Sequence, residues 1–182
     1  MIYIFLADGF EEVEALAPAD LLRRAGLEVA LVGVGGKTIT GSHGISVVCD
    51  ICDSDITLDS DVDAIILPGG MPGTINLENS SVVQSAIDFA ADNEKLICAI
   101  CAAPSVLGHK GILKGKTAIC FPGFEKDLEG ANISESFVCR DGNTITAKGM
   151  GSAVEFGLRI VEYFKGPETA EKLGASLQIF EK

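Results

Sequence analysis

Residues 96–107 read LICAICAAPSVL, and the fold turns on how Cys101 in that stretch is understood. Leu96 to Ile100 form a short apolar run of strand length. Two alanines, a proline and a serine follow the cysteine. Cys98 and Cys101 also spell C-x-x-C, so three readings compete.

The first is a metal site. Cys49-Asp-Ile-Cys52 supplies a second C-x-x-C. Structural zinc pairs sit on knuckle turns, roughly 15–20 residues apart. Here all of residues 53–97 lies between the pairs, and Cys98 falls inside the apolar run. The second is a redox pair of the thioredoxin type, which needs both sulfurs at the start of a helix. Three residues of strand carry Cys98 roughly 10 Å from Cys101, whereas a disulfide needs Cα atoms within about 7 Å.

The third is a nucleophile elbow. Ala99-Ile100-Cys101-Ala102-Ala103 places small residues two before and two after the cysteine. A strand that turns sharply into a helix crowds those two positions, as in the G-x-S-x-G elbow. The nucleophile then stands at the carboxyl edge of a sheet and at a helix N-terminus, where the helix dipole lowers a thiol pKa. On pattern alone, a plain buried cysteine at a strand–helix junction fits equally well.

Outward from this stretch, short apolar runs alternate with helical periodicity. Strands are expected over 2–7, 27–34, 62–67, 95–100 and 117–121, with a small β-arm from 37–40 and 45–49. A further pair, 133–139 with 143–147, joins across Arg140-Asp141-Gly142-Asn143. Helices are expected over 10–24, from Asn79 or Ser80 to Asn93, over 102–109, over 152–164, and from Pro167 onward. This alternation predicts an α/β fold, a three-layer α/β/α sandwich on a mostly parallel sheet, with residues 1–182 as one domain. Ligands in such folds sit beyond the carboxyl ends of the strands. Three suspicious turns lie there: Ala7-Asp8-Gly9, Pro68-Gly69-Gly70, and Cys101.

Composition narrows the function classes. The 182 residues carry a net charge of −12, which opposes binding to nucleic-acid phosphates or anionic membranes. No apolar run reaches the ~20 residues needed to span a bilayer. MIYIFLADGF reads as a first strand, not a signal peptide. Most of the six cysteines lie in apolar, strand-like stretches, which suggests reduced thiols in the cytoplasm. No cofactor or metal is expected.

Cys101 needs a partner for proton transfer. The two histidines, His43 in the β-arm and His109 late in a helix, both read as surface side chains. Glu11, Glu12 and Glu14 open the first helix. Dipole complementarity accounts for Glu11 and Glu12. Glu14 is flanked by Val13, Ala15 and Leu16 and is expected to point inward, where burial raises its pKa. The backbone N–H groups of Gly70 and Ala102 are candidate oxyanion donors.

Together, Gly9-Phe10-Glu11-Glu12-Val13-Glu14, Arg23-Arg24-Ala25-Gly26, Leu67-Pro68-Gly69-Gly70, Ala99 to Pro104 and Glu155-Phe156-Gly157-Leu158 resemble the ThiJ/PfpI superfamily, nearest the branch of the parkinsonism-associated deglycase. The resemblance spans nearly the whole chain. It implies a flavodoxin-like sandwich and a homodimer. It also implies a reactive cysteine at Cys101, a protonated glutamate at Glu14, and oxyanion donors at Gly70 and Ala102. The activities it implies are cofactor-free glyoxalase or deglycase chemistry on small reactive dicarbonyls. Its alternative is oxidative-stress sensing, with Cys101 oxidised to sulfinate, and chaperoning. The chain departs from the pattern at Phe121-Pro122, where a histidine precedes the proline in some members. It departs again at His43, which replaces an arginine, and at Lys148-Gly149-Met150-Gly151. The protease members carry a histidine after the cysteine, where this chain has Ala102.

Overall fold

The continuous burial of the central strands explains the architecture. In a computed structural model, which describes residues 1–179, the elements in chain order are β1 (Ile2–Leu6), α1 (Glu12–Arg24), β2 (Val29–Gly33), β3 (Thr38–Thr40), β4 (Ser46–Val48), β5 (Ile51–Cys52), β6 (Ala64–Leu67), α2 (Gly73–Asn79), α3 (Ser81–Asp92), β7 (Leu96–Ile100), α4 (Pro104–His109), β8 (Thr117–Ala118), β9 (Asn132–Ile133), β10 (Val138–Asp141), β11 (Thr144–Ala147), α5 (Ala153–Lys165) and α6 (Pro167–Ser176). Seven strands form one sheet in the order β10-β11-β7-β6-β1-β2-β5. All neighbours run parallel except β10 and β11.

Successive strand residues face opposite layers. Ile4, Leu6, Ile66, Cys98, Ile100 and Ile145 pack with Leu22 of α1 and Phe156 and Ile160 of α5. Tyr3, Phe5, Ile65, Leu67, Ile97 and Ala99 pack with Val83 and Ile87 of α3 and Val106 of α4. Because both faces are covered, the central strands are apolar along their full length, which is why they read as runs and not as alternation. The result is the expected flavodoxin-like α/β/α sandwich. Gly157 lets α5 lie close against α1, since a Cβ there would stand 2.6 Å from Leu21 Cδ1 and 3.1 Å from Pro18 Cα.

Several boundaries differ from the sequence expectation. α1 starts at Glu12, not Phe10, because Phe10 belongs to the loop and is fully buried. A short helix, α2, precedes α3 and shares Ser80 as the junction between them. Only Thr117–Ala118 of 117–121 is strand, and it pairs with Asn132–Ile133 in a separate two-stranded ladder. The edge strand β5 is two residues long, too short to show a period. No described helix is long and apolar enough to cross a membrane.

The two C-x-x-C pairs dissolve into packing. Cys98 is fully buried in β7, in register with Ile66 and Ile145. Burial pushes its thiol well above the ordinary range. All six cysteines are free.

Candidate active site

Sheet order reverses direction between β1 and β6: α1 carries the chain from β1 to β2 on one side, while β6 and β7 follow on the other. Such a switch point leaves a crevice at the carboxyl edge of a doubly wound sheet. Three loops meet there, from the ends of β1, β6 and β7, and they bring Glu14, Gly70, Cys101 and Ala102 together.

Cys101 follows β7 directly and has φ +65, a left-handed conformation that non-glycine residues rarely adopt. The turn is held at both peptide groups. Its N–H donates to Ala147 O at 2.9 Å, and its carbonyl accepts from Phe121 N at 2.7 Å. The next turn is locked by Ser105, whose hydroxyl donates to Ala102 O at 2.7 Å. This is the strained strand-to-helix turn that the small residues around Cys101 anticipate.

Glu14 comes from the first turn of α1. Glu11 is the N-cap, and its carboxylate accepts from Glu14 N at 2.8 Å. The Glu14 side chain is 1 % exposed. Its Oε2 accepts from Gly69 N at 2.9 Å. Its Oε1 has no hydrogen-bond partner in the ordinary sense, and the carboxyl lies beside the Cys101 thiol. Burial raises the Glu14 pKa to about 7, against the pull of the neighbouring Cys101 thiol and the Gly69 N–H. A carboxyl in this state donates to the sulfur when protonated.

Gly69 and Gly70 form the opposite wall. Gly70 has φ +89, a region that favours glycine. Its carbonyl accepts twice from Thr74, from the amide at 2.9 Å and the hydroxyl at 3.0 Å. That clamp holds the peptide that follows Gly70, and the N–H groups of Gly70 and Ala102 lie near enough to the Cys101 sulfur to act on it. Gly69 has no room for a side chain, since a Cβ would lie 2.6 Å from Cys101 Cβ.

One expectation fails. The elbow was expected to lower the Cys101 pKa through a helix N-terminus, but α4 begins only at Pro104 and has six residues. Burial pushes the thiol up to about 12, followed by the Glu14 charge and hydrogen bond, with the two N–H groups pulling the other way. The two groups therefore titrate as a unit. The site gains one negative charge near pH 7, on the Glu14 carboxylate, and a second, on the thiol, only far above it.

The acidic trio also divides differently from its sequence reading. Glu12 is not a surface partner of the helix dipole: it is 4 % exposed. Its carboxylate accepts from His43 N at 2.8 Å and Ile45 N at 3.4 Å, and pairs with His43 Nδ1 at 3.0 Å. Burial alone would raise its pKa, but the His43 ring and the backbone donors hold it below the ordinary carboxylate range. Glu12 thus pins the β3–β4 turn to α1. No local signal distinguishes it from Glu11, because its partners are 31 and 33 residues away. Among the described residues, Glu11, Glu12 and His43 are the one group whose ligand atoms lie within 4.8 Å of one another. His109 pairs with Glu78 at 2.6 Å. Both histidine rings are engaged elsewhere, with Glu12 and Glu78, and Phe121 touches Cys101 through its backbone N–H.

The sequence pattern of the DJ-1/PfpI family matches residues 1–163. "Protein dj-1beta" of Drosophila melanogaster is 34% identical over 179 residues, covering 97% of this chain and 95% of the relative. The "Glutathione-independent glyoxalase DJR-1.2" of Caenorhabditis elegans is 34% identical over 165 residues, 90% of this chain and 87% of the relative. Among solved structures, oxidized Toxoplasma gondii DJ-1 superposes with a TM-score of 0.92 at 33% identity, covering 97% of both chains.

Proposed function

The chain belongs to the DJ-1/PfpI family, and from that premise we propose that it isomerises small 2-oxoaldehydes to 2-hydroxycarboxylates without a cofactor. The observation that carries this reading is the pairing of Cys101 with a buried carboxyl of pKa about 7, facing two backbone N–H donors. The glyoxalase name of the worm relative supports it.

The chemistry follows from the groups. Ionised Glu14 takes the Cys101 thiol proton as the sulfur adds to the aldehyde carbon, forming a C–S bond, and the new alkoxide rests on Gly70 and Ala102 N–H. Glu14 protonates that oxygen to give a hemithioacetal. As carboxylate it then takes the proton from the former aldehyde carbon, and an enediol forms. Reprotonation at the neighbouring carbon leaves a thioester, which water cleaves to the 2-hydroxycarboxylate and the free thiol. The aldehyde carbon loses two electrons and the ketone carbon gains two, so no outside oxidant is needed. A group with pKa near the working pH is suited to both giving and taking the proton. Phe121 can do neither, so the whole proton transfer falls to Glu14.

Purified protein mixed with methylglyoxal should form lactate, and Cys101→Ala should form it no faster than buffer. Equal rates in the two proteins would remove the enzymatic reading.

A second reading rests on the partnerless Glu14 Oε1 beside a half-buried thiol. Peroxide oxidises Cys101 in two steps, each adding one oxygen and releasing one water, and the sulfinate is held by protonated Glu14. The named state of the Toxoplasma relative is in keeping with this. Mass spectrometry after mild peroxide should find two added oxygens on Cys101 before any appear on the other five cysteines. Even oxidation across all six would count against it. The protein is proposed to act as a homodimer, as its family resemblance implies, and Val13, Ile45 and Val48 offer exposed apolar surface for that contact.

A further inference from the structure

The two hydrogen bonds that hold the Cys101 backbone also tie it to two neighbouring segments. Its N–H is held by Ala147, which leads into Lys148-Gly149-Met150, and its carbonyl is held by Phe121. These two segments form the walls of a groove of about 430 Å³, with Phe121, Pro122, Phe137, Lys148, Gly149 and Met150 along it. The volume lies in the range of small-molecule sites, roughly 300–1,000 Å³. It far exceeds what the methyl group of methylglyoxal would fill.

The lining is apolar and unusually exposed for large side chains: Phe121 is 48 %, Phe137 63 % and Met150 54 % accessible. Three such residues on one groove leave surface that gains from being covered. Gly149 flattens the floor under the Phe121 ring, since a Cβ there would meet Phe121 Cδ2 at 3.2 Å. Lys148 is the one charged residue on the walls, with its Nζ 5.3 Å from the centre of the Phe137 ring. In a chain of net charge −12, a groove whose only charge is positive selects an anion over a cation.

The geometry points to aryl 2-oxoaldehydes as the substrate class, the ring lying in the Phe121–Phe137–Met150 groove while the aldehyde carbon meets Cys101. The reaction balances as above, with an aryl group in place of methyl. Its product is an aryl 2-hydroxycarboxylate, an anion that suits Lys148. Flat rings stack on Phe121 and Phe137, and the flexible thioether of Met150 adapts to their edge. The inference rests on the enzymatic reading above, but the groove is testable without turnover.

The test is protection of Cys101 from iodoacetamide, read by mass spectrometry, with mandelate or lactate as the competing anion. In the natural protein, mandelate should halve the alkylation rate at a concentration roughly 10- to 100-fold lower than lactate, the range that a buried apolar group of this size supports. Phe121→Ala should bring mandelate close to lactate, and Phe137→Ala should do so in part. Both side chains are exposed, so neither change threatens the core. Equal protection by the two acids, or a mandelate preference that survives both substitutions, overturns the groove assignment. Parallel assays with phenylglyoxal and methylglyoxal separate the two claims. A mandelate preference without turnover of either aldehyde removes the enzymatic reading and upholds the groove. Turnover without a mandelate preference does the reverse.

Discussion

Glu14→Gln should abolish turnover and, above pH 7, make the protein more stable. Both effects come from one buried carboxyl. Glutamine keeps the shape and still accepts from Gly69 N, a contact of 2.9 Å in the natural protein. It cannot give or take a proton, and positioned proton transfer contributes roughly 10²–10⁴-fold. The whole of that factor should be lost, because neither histidine is placed to replace it. The stability change has the opposite sign. Burial raises the folded-state pKa from 4.5 to about 7. Folding therefore favours the protonated form: that stabilisation is complete below pH 4.5 and is lost as pH rises to 7. The gap corresponds to about 3 kcal/mol. The glutamine variant is neutral at every pH and escapes this loss. Thermal melts from pH 4 to pH 9 should start together and then diverge. The variant should melt roughly 6–12 °C higher at the alkaline end, given about 2–4 °C per kcal/mol for a chain of this size. Parallel melting curves at all pH values would show that folding leaves the Glu14 pKa at its ordinary value, and the acid role would go with it.

The sequence exposed the elements whose physics is local. A buried parallel strand is a short apolar run, and β1, β6 and β7 appear as such. The elbow was equally local, because the crowding at Cys101 acts on Ala99 and Ala103, within two residues. The burial of Glu14 is legible for the same reason: apolar neighbours on a helix predict an inward side chain. What escaped was set at a distance. Glu12 and Glu11 carry the same local signal, yet one caps a helix and the other anchors a β-arm 31 residues on. The raised Cys101 pKa was also invisible. It depends on how deeply the Glu14 charge and the thiol are buried together, and α4 starts two residues later than its pattern suggests. Phe121 read as a missing base. In the folded chain it is one wall of a groove whose other wall, Lys148 to Met150, lies far along the sequence.

Gly69→Ala should silence the site while leaving the fold standing. The usual reason for glycine, a left-handed backbone, applies to its neighbour Gly70 at φ +89 and not to Gly69. The constraint at Gly69 is space. An added Cβ would stand 2.6 Å from Cys101 Cβ, 2.7 Å from Glu14 Oε2 and 2.9 Å from Ile100 O. Two of those three atoms belong to the nucleophile and its acid, and the third to the strand end that carries the nucleophile. Real contacts of this kind need about 3.5 Å or more, so something must move by nearly 1 Å. The Ile100 carbonyl belongs to β7 and accepts from Ala103 N at 3.1 Å, which holds the elbow from below. The relief must therefore come from Glu14 and Cys101 separating. Overpacking of this size costs about 1–3 kcal/mol, which a melt would register as a drop of several degrees. Function is far more sensitive, since a 1 Å misplacement of reacting groups costs about 10²-fold. The variant should fold, keep its sheet by circular dichroism, and form lactate from methylglyoxal at least 100-fold more slowly. A variant with full turnover would show that the close approach of Gly69, Glu14 and Cys101 is packing alone.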